Sequence, residues 1–379
     1  MLIQQPKLPT AMNMRSLLYT LLAILTCQMV FANSGLKDNF VLGNPNIASL
    51  NALTFGPEGI LFIGDSKKAM VFAIDTRDTQ TIEKAEPIAI KHLDRAIALV
   101  LGSMPEQVHV QDMAVNPLSK KLYLAVHHED GTPVLMKLEG NNLEWIPLDK
   151  VGYSKTSISH ALPKDAKDKQ GRNRRRWTIS DLNYDDGHLM VTGLSNREFS
   201  STFRSIGFPF NDEQQDATLE IFHAAHGRYE TYAPVKTFIP ATVGGKRQLI
   251  AAYTCTPLVL FPLDKLKPGQ HTKGRTVAEL GNWNTPLDMI VMEKDEEAYL
   301  LMANTNRAVM KIKLSDLAAF QGSLTEKIPQ RGGTRGVNFI ALPWVNVLQL
   351  DKLDNKRFVM LKRESNGDLN LITQTERWL

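Results

Sequence analysis

The chain has 379 residues, 44 Lys and Arg against 40 Asp and Glu, and a net charge of +4. An apolar content of 43% with 24 Gly and 19 Pro excludes a disordered or collagen-like chain. The near-balance of charge excludes the concentrated basic face of a dedicated nucleic-acid binder. The length allows one large core or two modest ones.

Residues 1–32 read as a signal peptide. Arg15 supplies a positive start, Ser16 to Ile24 begin an apolar stretch, and Val30-Phe31-Ala32 sets small residues where a signal peptidase needs them. The start is equally well placed at Met12 or Met14. The alternative is an uncleaved anchor. No later run of about 18 apolar residues follows, so no integral membrane segment is expected after signal removal. Cys27 lies in this segment, and Leu25-Thr26-Cys27 is a poor lipoprotein signal because Thr is too large before the cysteine. Cys255 is then alone in the mature chain, which forms no internal disulfide. A periplasmic or secreted location is expected.

From residue 33 onward one unit recurs: strand, turn, strand, polar turn, strand. It appears first at Leu50 to Asp75 (ALTFGPEG, ILFIGDS, AMVFAID). It returns at Asp112 to Leu138 (DMAVNPLSK, KLYLAVHHEDG, PVLMKL), then from Ile179 (SDLNYDDG, HLMVTGLSN). Further copies run from Lys236 (TFIPATVGGKR, QLIAAYTCT, PLVLFPL), from Leu287 (DMIVMEKDE, EAYLLMANTN, AVMKIKL) and from Val347 (LQLDKLDN, KRFVMLKRESNG, LNLIT). Apolar residues alternate or run continuously with β-branched enrichment, and Gly, Asn, Asp or Pro punctuate the turns. Glu83 to Leu101 and Ser315 to Phe320 are the best helical exceptions. Small sheets of this kind bury both faces when set radially. The expectation is an all-β, six-bladed β-propeller over 33–379, or a seven-bladed one if a blade is hidden between the second and third copies. A two-domain β-sandwich explains the repeat poorly.

The first copy, GPEGILFIGDSKKAMVFAID, resembles repeats of the NHL and SMP-30-like propeller families. The resemblance lies in the repeat pattern across most of the mature chain, and it implies the propeller fold. For SMP-30-like enzymes it further implies a metal in the central channel, held by acidic and Asn side chains. That ligand set is not matched here residue by residue.

In a propeller the first strand of each blade lines the channel. Aligning the copies places Asn51, Asp112, Asp181, Asp288 and Gln349 at the start of the inner strands, with Thr237 or Phe238 in the fourth copy. Asp112, Asp181 and Asp288 are thus candidate ligands for a divalent cation such as Ca²⁺. The alternative is that they cap turns through backbone N–H groups.

The turns after the second strands share one mouth of the channel with the links that enter the first. Loops on a rigid scaffold are where function concentrates. The candidate binding face therefore comprises Asp65, His128, Asn196, Arg228, Tyr229, Asn282, Asn284 and Asn304. His223, His226, the His127–His128 pair and Cys255 have copper- or zinc-ligand chemistry, but their spacing matches no closed zinc pattern. His223 and His226 point to opposite faces if extended, unless a turn at Gly227 reorients His226. Cys255 reads as a buried small side chain. No nucleophile elbow, phosphate loop or haem-attachment motif occurs. PKDAKDKQGRNRRR, residues 163–176, is a basic insertion, read as a solvated loop or as a docking patch for an acidic partner.

Three functions remain. The first is a binding or assembly module for a periplasmic protein partner or small ligand, with no nucleic acid involved. The second is a metal-dependent lactonase or esterase, with a channel cation and His226 or Glu230 as proton carrier. The third is a copper- or redox-associated protein. Whether the chain is an enzyme is left open.

Overall fold

The computed structural model describes residues 35–211 and 213–379, so the expected signal peptide lies outside the described residues. The chain divides into two compact units, Met1–Asp38 and Asn39–Leu379. In the first, Asp38 N–H closes a turn on Gly35 O at 3.0 Å. All that follows concerns the second.

Its strands form six sheets. Blade 1 holds Ala52–Phe55, Ile60–Asp65 and Met70–Asp75; blade 2 holds Val108–Val115, Leu122–His128, Pro133–Glu139 and Asn142–Ile146. Blade 3 runs through Asp181–Asp185, His188–Leu194, Ser201–Gly207 and Gln214–His223, and blade 4 through Val235–Val243, Lys246–Tyr253, Pro257–Pro262 and Arg275–Glu279. Blade 5 contains Pro286–Lys294, Glu297–Asn304 and Met310–Lys313; blade 6 contains Val347–Lys352, Arg357–Arg363 and Leu369–Thr375. The architecture is a six-bladed β-propeller. Among the described residues the helices are few, the longest being Leu93–Leu101.

Local chemistry sets the hairpins. Two-residue turns with positive φ at both positions match the twist of paired strands. Such turns join the first two strands at Asp186-Gly187, Gly244-Gly245 and Asp295-Glu296. Both faces of each sheet are covered, so the middle strands are buried throughout, as in Ile60–Asp65.

The order of blades around the ring is not their order in the chain. Inner strands touch in the sequence 1, 3, 4, 5, 6, 2 and back to 1. The hydrophobic clusters follow the same order, one shared by blades 1 and 2, another by blades 2 and 6. Blades 1 and 3 meet through Phe62, whose ring stacks on Tyr184 at 5.4 Å. The chain thus leaves blade 1 after Asp75, builds blade 2 on one side, and returns. Val151–Ser157 then pairs with Met70–Asp75 as the fourth strand of blade 1. The interval between the second and third copies therefore holds this returning strand and the basic segment, not a seventh blade.

The basic segment is anchored at its end. Arg175 is buried, and its guanidinium donates to the carbonyls of Ser66 at 2.8 Å, Lys67 at 3.3 Å and Leu162. Lys164, Lys167, Lys169 and Arg172 remain exposed.

Candidate functional site

Four of the six inner strands share an irregularity, and the blade 3 strand carrying Asp181 pairs without it. The inner strands of blades 2, 4, 5 and 6 each shift register just before Asp112, Thr237, Asp288 and Gln349. A bulge re-aims the next side chain. Each carboxylate is then spent on two backbone N–H groups. Asp112 accepts from Met113 at 2.8 Å and from Leu53 of blade 1 at 2.7 Å. Asp181 accepts from Leu182 at 2.8 Å and from Phe238 of blade 4 at 3.0 Å. Asp288 accepts from Met289 and from Leu350 of blade 6, both at 2.7 Å. Asp351 does the same with Lys352 at 2.7 Å and Val115 of blade 2 at 2.6 Å.

Asp351 was not singled out in the sequence. It lies two residues beyond Gln349 on the same face, a period-2 signal that was there to use. With the Gln349 amide turned so that its nitrogen faces the carboxylates, it donates to Asp112 and Asp288 at 2.9 Å each. Burial, and for Asp112 and Asp288 repulsion from other aspartates of the ring, push these carboxyls up: Asp181 to about 7, Asp351 to about 6, Asp112 and Asp288 well above the ordinary range. The residues expected to hold a channel cation are therefore arranged as caps that fasten blade to blade. They border a cavity of about 390 Å³.

On the mouth face, the candidate residues separate by burial. Asp65 is fully buried and accepts from Ala48 N at 2.6 Å, Ser49 Oγ at 2.7 Å and Lys68 N at 2.9 Å. Asn284 and Asn304 are buried and hydrogen-bonded to each other at 2.9 Å. These three shape the loops and do not face solvent. Asn196, Arg228 and Tyr229 are exposed; His128 and Asn282 are half-buried. His127 Nε2 accepts the Leu50 N–H at 2.9 Å, and burial holds its pKa down at about 4. It is a neutral structural histidine.

His223, His226 and Cys255 do converge. Gln214–His223 ends in a turn in which Gly227, at φ +67°, lets the N–H groups of His226 and Gly227 close on His223 O at 3.1 and 2.8 Å. The two imidazole rings consequently lie 3.8 Å apart between centroids. Cys255 comes from blade 4, in the turn after Lys246–Tyr253, with φ +67° at Cys255 and +63° at Thr256. Among the described residues these three form the one group of His, Cys or acidic side chains whose donor atoms lie within 4.8 Å of one another.

Glu230, a candidate proton carrier, is bound by both histidines. Its Oε2 accepts from His223 Nδ1 at 2.9 Å and its Oε1 from His226 Nδ1 at 2.6 Å. Arg228 Nε and Tyr232 OH reach the same Oε1, both at 3.2 Å. Burial alone would raise Glu230, but the histidine hydrogen bonds and charges outweigh it and hold the carboxyl down at about 2. Beneath the turn, buried Glu279 accepts from Ala225 N at 3.2 Å, and burial pushes it up to about 8.

Around this cluster stand aromatic and cationic side chains. Trp283, at φ +62°, is 67% exposed and carries the Arg331 guanidinium 4.6 Å above its ring. Arg228 donates to Tyr232 OH at 2.6 Å. Lys327 packs against Gly227. Tyr229 faces the other side of its strand, against Phe222, with Lys273 over its ring at 3.8 Å. Sequence reasoning named Arg228 and Tyr229 but missed Tyr232, Lys327 and Arg331, which lie far apart in the chain and carry no motif.

No protein-family model and no curated protein matches the chain. Solved structures similar to it include extracellular domains 1–2 of Drosophila Semaphorin 1b, at 9% identity, covering 88% of this chain and 86% of that one, TM-score 0.37. The PQQ-bound aldose sugar dehydrogenase of Streptomyces coelicolor shares 10% identity over 88% of this chain and 98% of its own, TM-score 0.35. The full extracellular region of Plexin A4 shares 8% identity over 89% and 40%, TM-score 0.41. At such scores the six-bladed assignment rests on the sheet topology itself. Among the described residues no helix is long and apolar enough to cross a membrane.

Proposed function

We propose that the protein is an exported binding module whose channel-mouth face docks an acidic protein partner. One observation carries the reading. Two exposed rings, Tyr232 and Trp283, each hold a guanidinium, from Arg228 and Arg331. The carboxylate beside Tyr232, Glu230, is already held by two histidines and Arg228. Trp, Tyr and Arg are enriched among the residues that carry binding energy at protein interfaces, and exposed guanidinium groups favour an acidic surface.

The test is binding of a poly-glutamate peptide to metal-free protein at low ionic strength. An Arg228→Glu/Arg331→Glu double variant is expected to weaken it by about tenfold or more, and added salt to abolish it. Equal binding by the double variant would overturn the reading.

A further inference from the structure

The same face carries a second feature, independent of any partner. His223, His226 and Cys255 present two imidazoles and one sulfur within 4.8 Å of one another, from turns of two adjacent blades. We propose that they bind a single copper ion.

The nitrogens are prepared for it. Glu230 holds the Nδ1 of both rings, so Nε2 is the atom each ring has left. A carboxylate on the far ring nitrogen fixes the tautomer and orients a metal-ligating histidine. Here one carboxylate does this for two rings and is itself restrained by Arg228 and Tyr232. His223 Nε2 is buried and has no hydrogen-bond partner. Folded proteins rarely leave such an atom orphaned, and where they do it calls for an explanation. A metal ion is one that also uses the facing Cys255.

The cysteine is prepared as well. Two consecutive non-glycine residues with positive φ, Cys255 and Thr256, are uncommon and mark sites that the surroundings over-determine. Cys255 N–H is held by Asn284 O, Thr256 N–H by Tyr253 O and Thr256 Oγ1 by Gly281 O, each at 2.8 Å. The turn therefore keeps its shape without a metal. A metal about 2.0–2.3 Å from three donors in a plane sets them about 3.5–3.8 Å apart. Side-chain rotation of about 1 Å closes the observed group.

The donor set selects the metal. Structural zinc sites are closed by four ligands, and no fourth His, Cys or acidic donor joins this group among the described residues. Two imidazoles and a thiolate in a trigonal set are a copper arrangement, and Cu²⁺ heads the affinity order for divalent first-row metals. On binding, the Cys255 thiol releases its proton and the sulfur takes the metal in its place. His226 is 43% exposed, so the ion enters from the mouth.

The experiment is metal analysis of the full chain, exported and purified without chelator from copper-supplemented cells. The expected result is close to one copper per chain, with a visible thiolate-to-copper absorption after oxidation. His226→Gln and Cys255→Ser each lose at least nine-tenths of the copper, with near-UV circular dichroism unchanged. His188→Gln, at the start of a blade 3 strand outside the cluster, keeps it. Folded wild-type protein with no metal, with stoichiometric zinc, or with copper retained in both cluster variants would overturn the proposal. Poly-glutamate binding by metal-free protein reads the partner separately, so the two can fail independently.

Discussion

Asp112 Oδ2 accepts the backbone N–H of Leu53 at 2.7 Å, so the second blade in the chain is fastened directly to the first across the wall of the channel. Four aspartates repeat this device, always toward the next blade in the same sense around the ring.

Asp112→Asn is expected to destabilise the protein by about 1–3 kcal/mol, because an amide nitrogen then confronts one of two buried N–H donors and leaves it unpaired. Denaturant unfolding measures this. An unchanged midpoint would mean that the ring does not depend on the contact.

The same carboxylates make stability depend on pH. Burial raises Asp181 to about 7 and Asp351 to about 6, from an ordinary value of 3.8. The folded ring then holds protons that the unfolded chain has released, so stability falls as pH rises from about 4 toward 7, by up to about 1.4 kcal/mol per pH unit per group. Glu230 works in the opposite sense. Held at about 2 against 4.5, it contributes stability that is intact above its ordinary value and lost as pH falls. Urea unfolding at pH 5 and pH 8 should show the protein more stable at pH 5, and Asp181→Asn should reduce the difference. A higher midpoint at pH 8 would contradict the assignment.

Glu230→Gln is expected to lower copper affinity by about 10–100-fold, the usual consequence of losing the partner that orients a ligating histidine. The amide can accept from one Nδ1–H but not from both. Competition against a chelator gives the affinity, and a shifted visible absorption in the loaded variant separates misoriented rings from a loss of fold. Tyr232→Phe, which leaves both imidazole contacts in place, should stay close to wild type.

Arg175→Ala is expected to cost about 1–3 kcal/mol, since buried carbonyls at Ser66 and Leu162 lose their donor. Alanine at Lys164, Lys167 and Lys169 should leave stability within about 0.5 kcal/mol, as those side chains are exposed. Limited trypsin digestion should cut the wild type among these lysines and spare Arg175. Rapid cleavage after Arg175 would show that the anchor does not hold.

Much of the blade structure was legible in the chain. The second strands end at Asp65, His128, Leu194, Tyr253, Asn304 and Arg363, where the repeats break into polar turns. The turn at Gly227 was visible too, because a glycine after a strand end permits positive φ at little cost. The roles of the site residues were not. Asp65, Asn284 and Asn304 look like exposed loop residues in the sequence, yet their polar atoms are used up inside the loops.

The sequence by itself determined the repeated strands and turns, because alternation and turn chemistry act between residues close in the chain, and left six or seven blades open. The tertiary structure alone decided that blade 2 sits between blades 1 and 6, since that placement depends on which apolar faces meet and on Val151–Ser157 returning to pair with blade 1. It also decided that Cys255 faces His223 and His226. That meeting requires two blades to pack side by side, and no local pattern encodes the neighbour a blade will find.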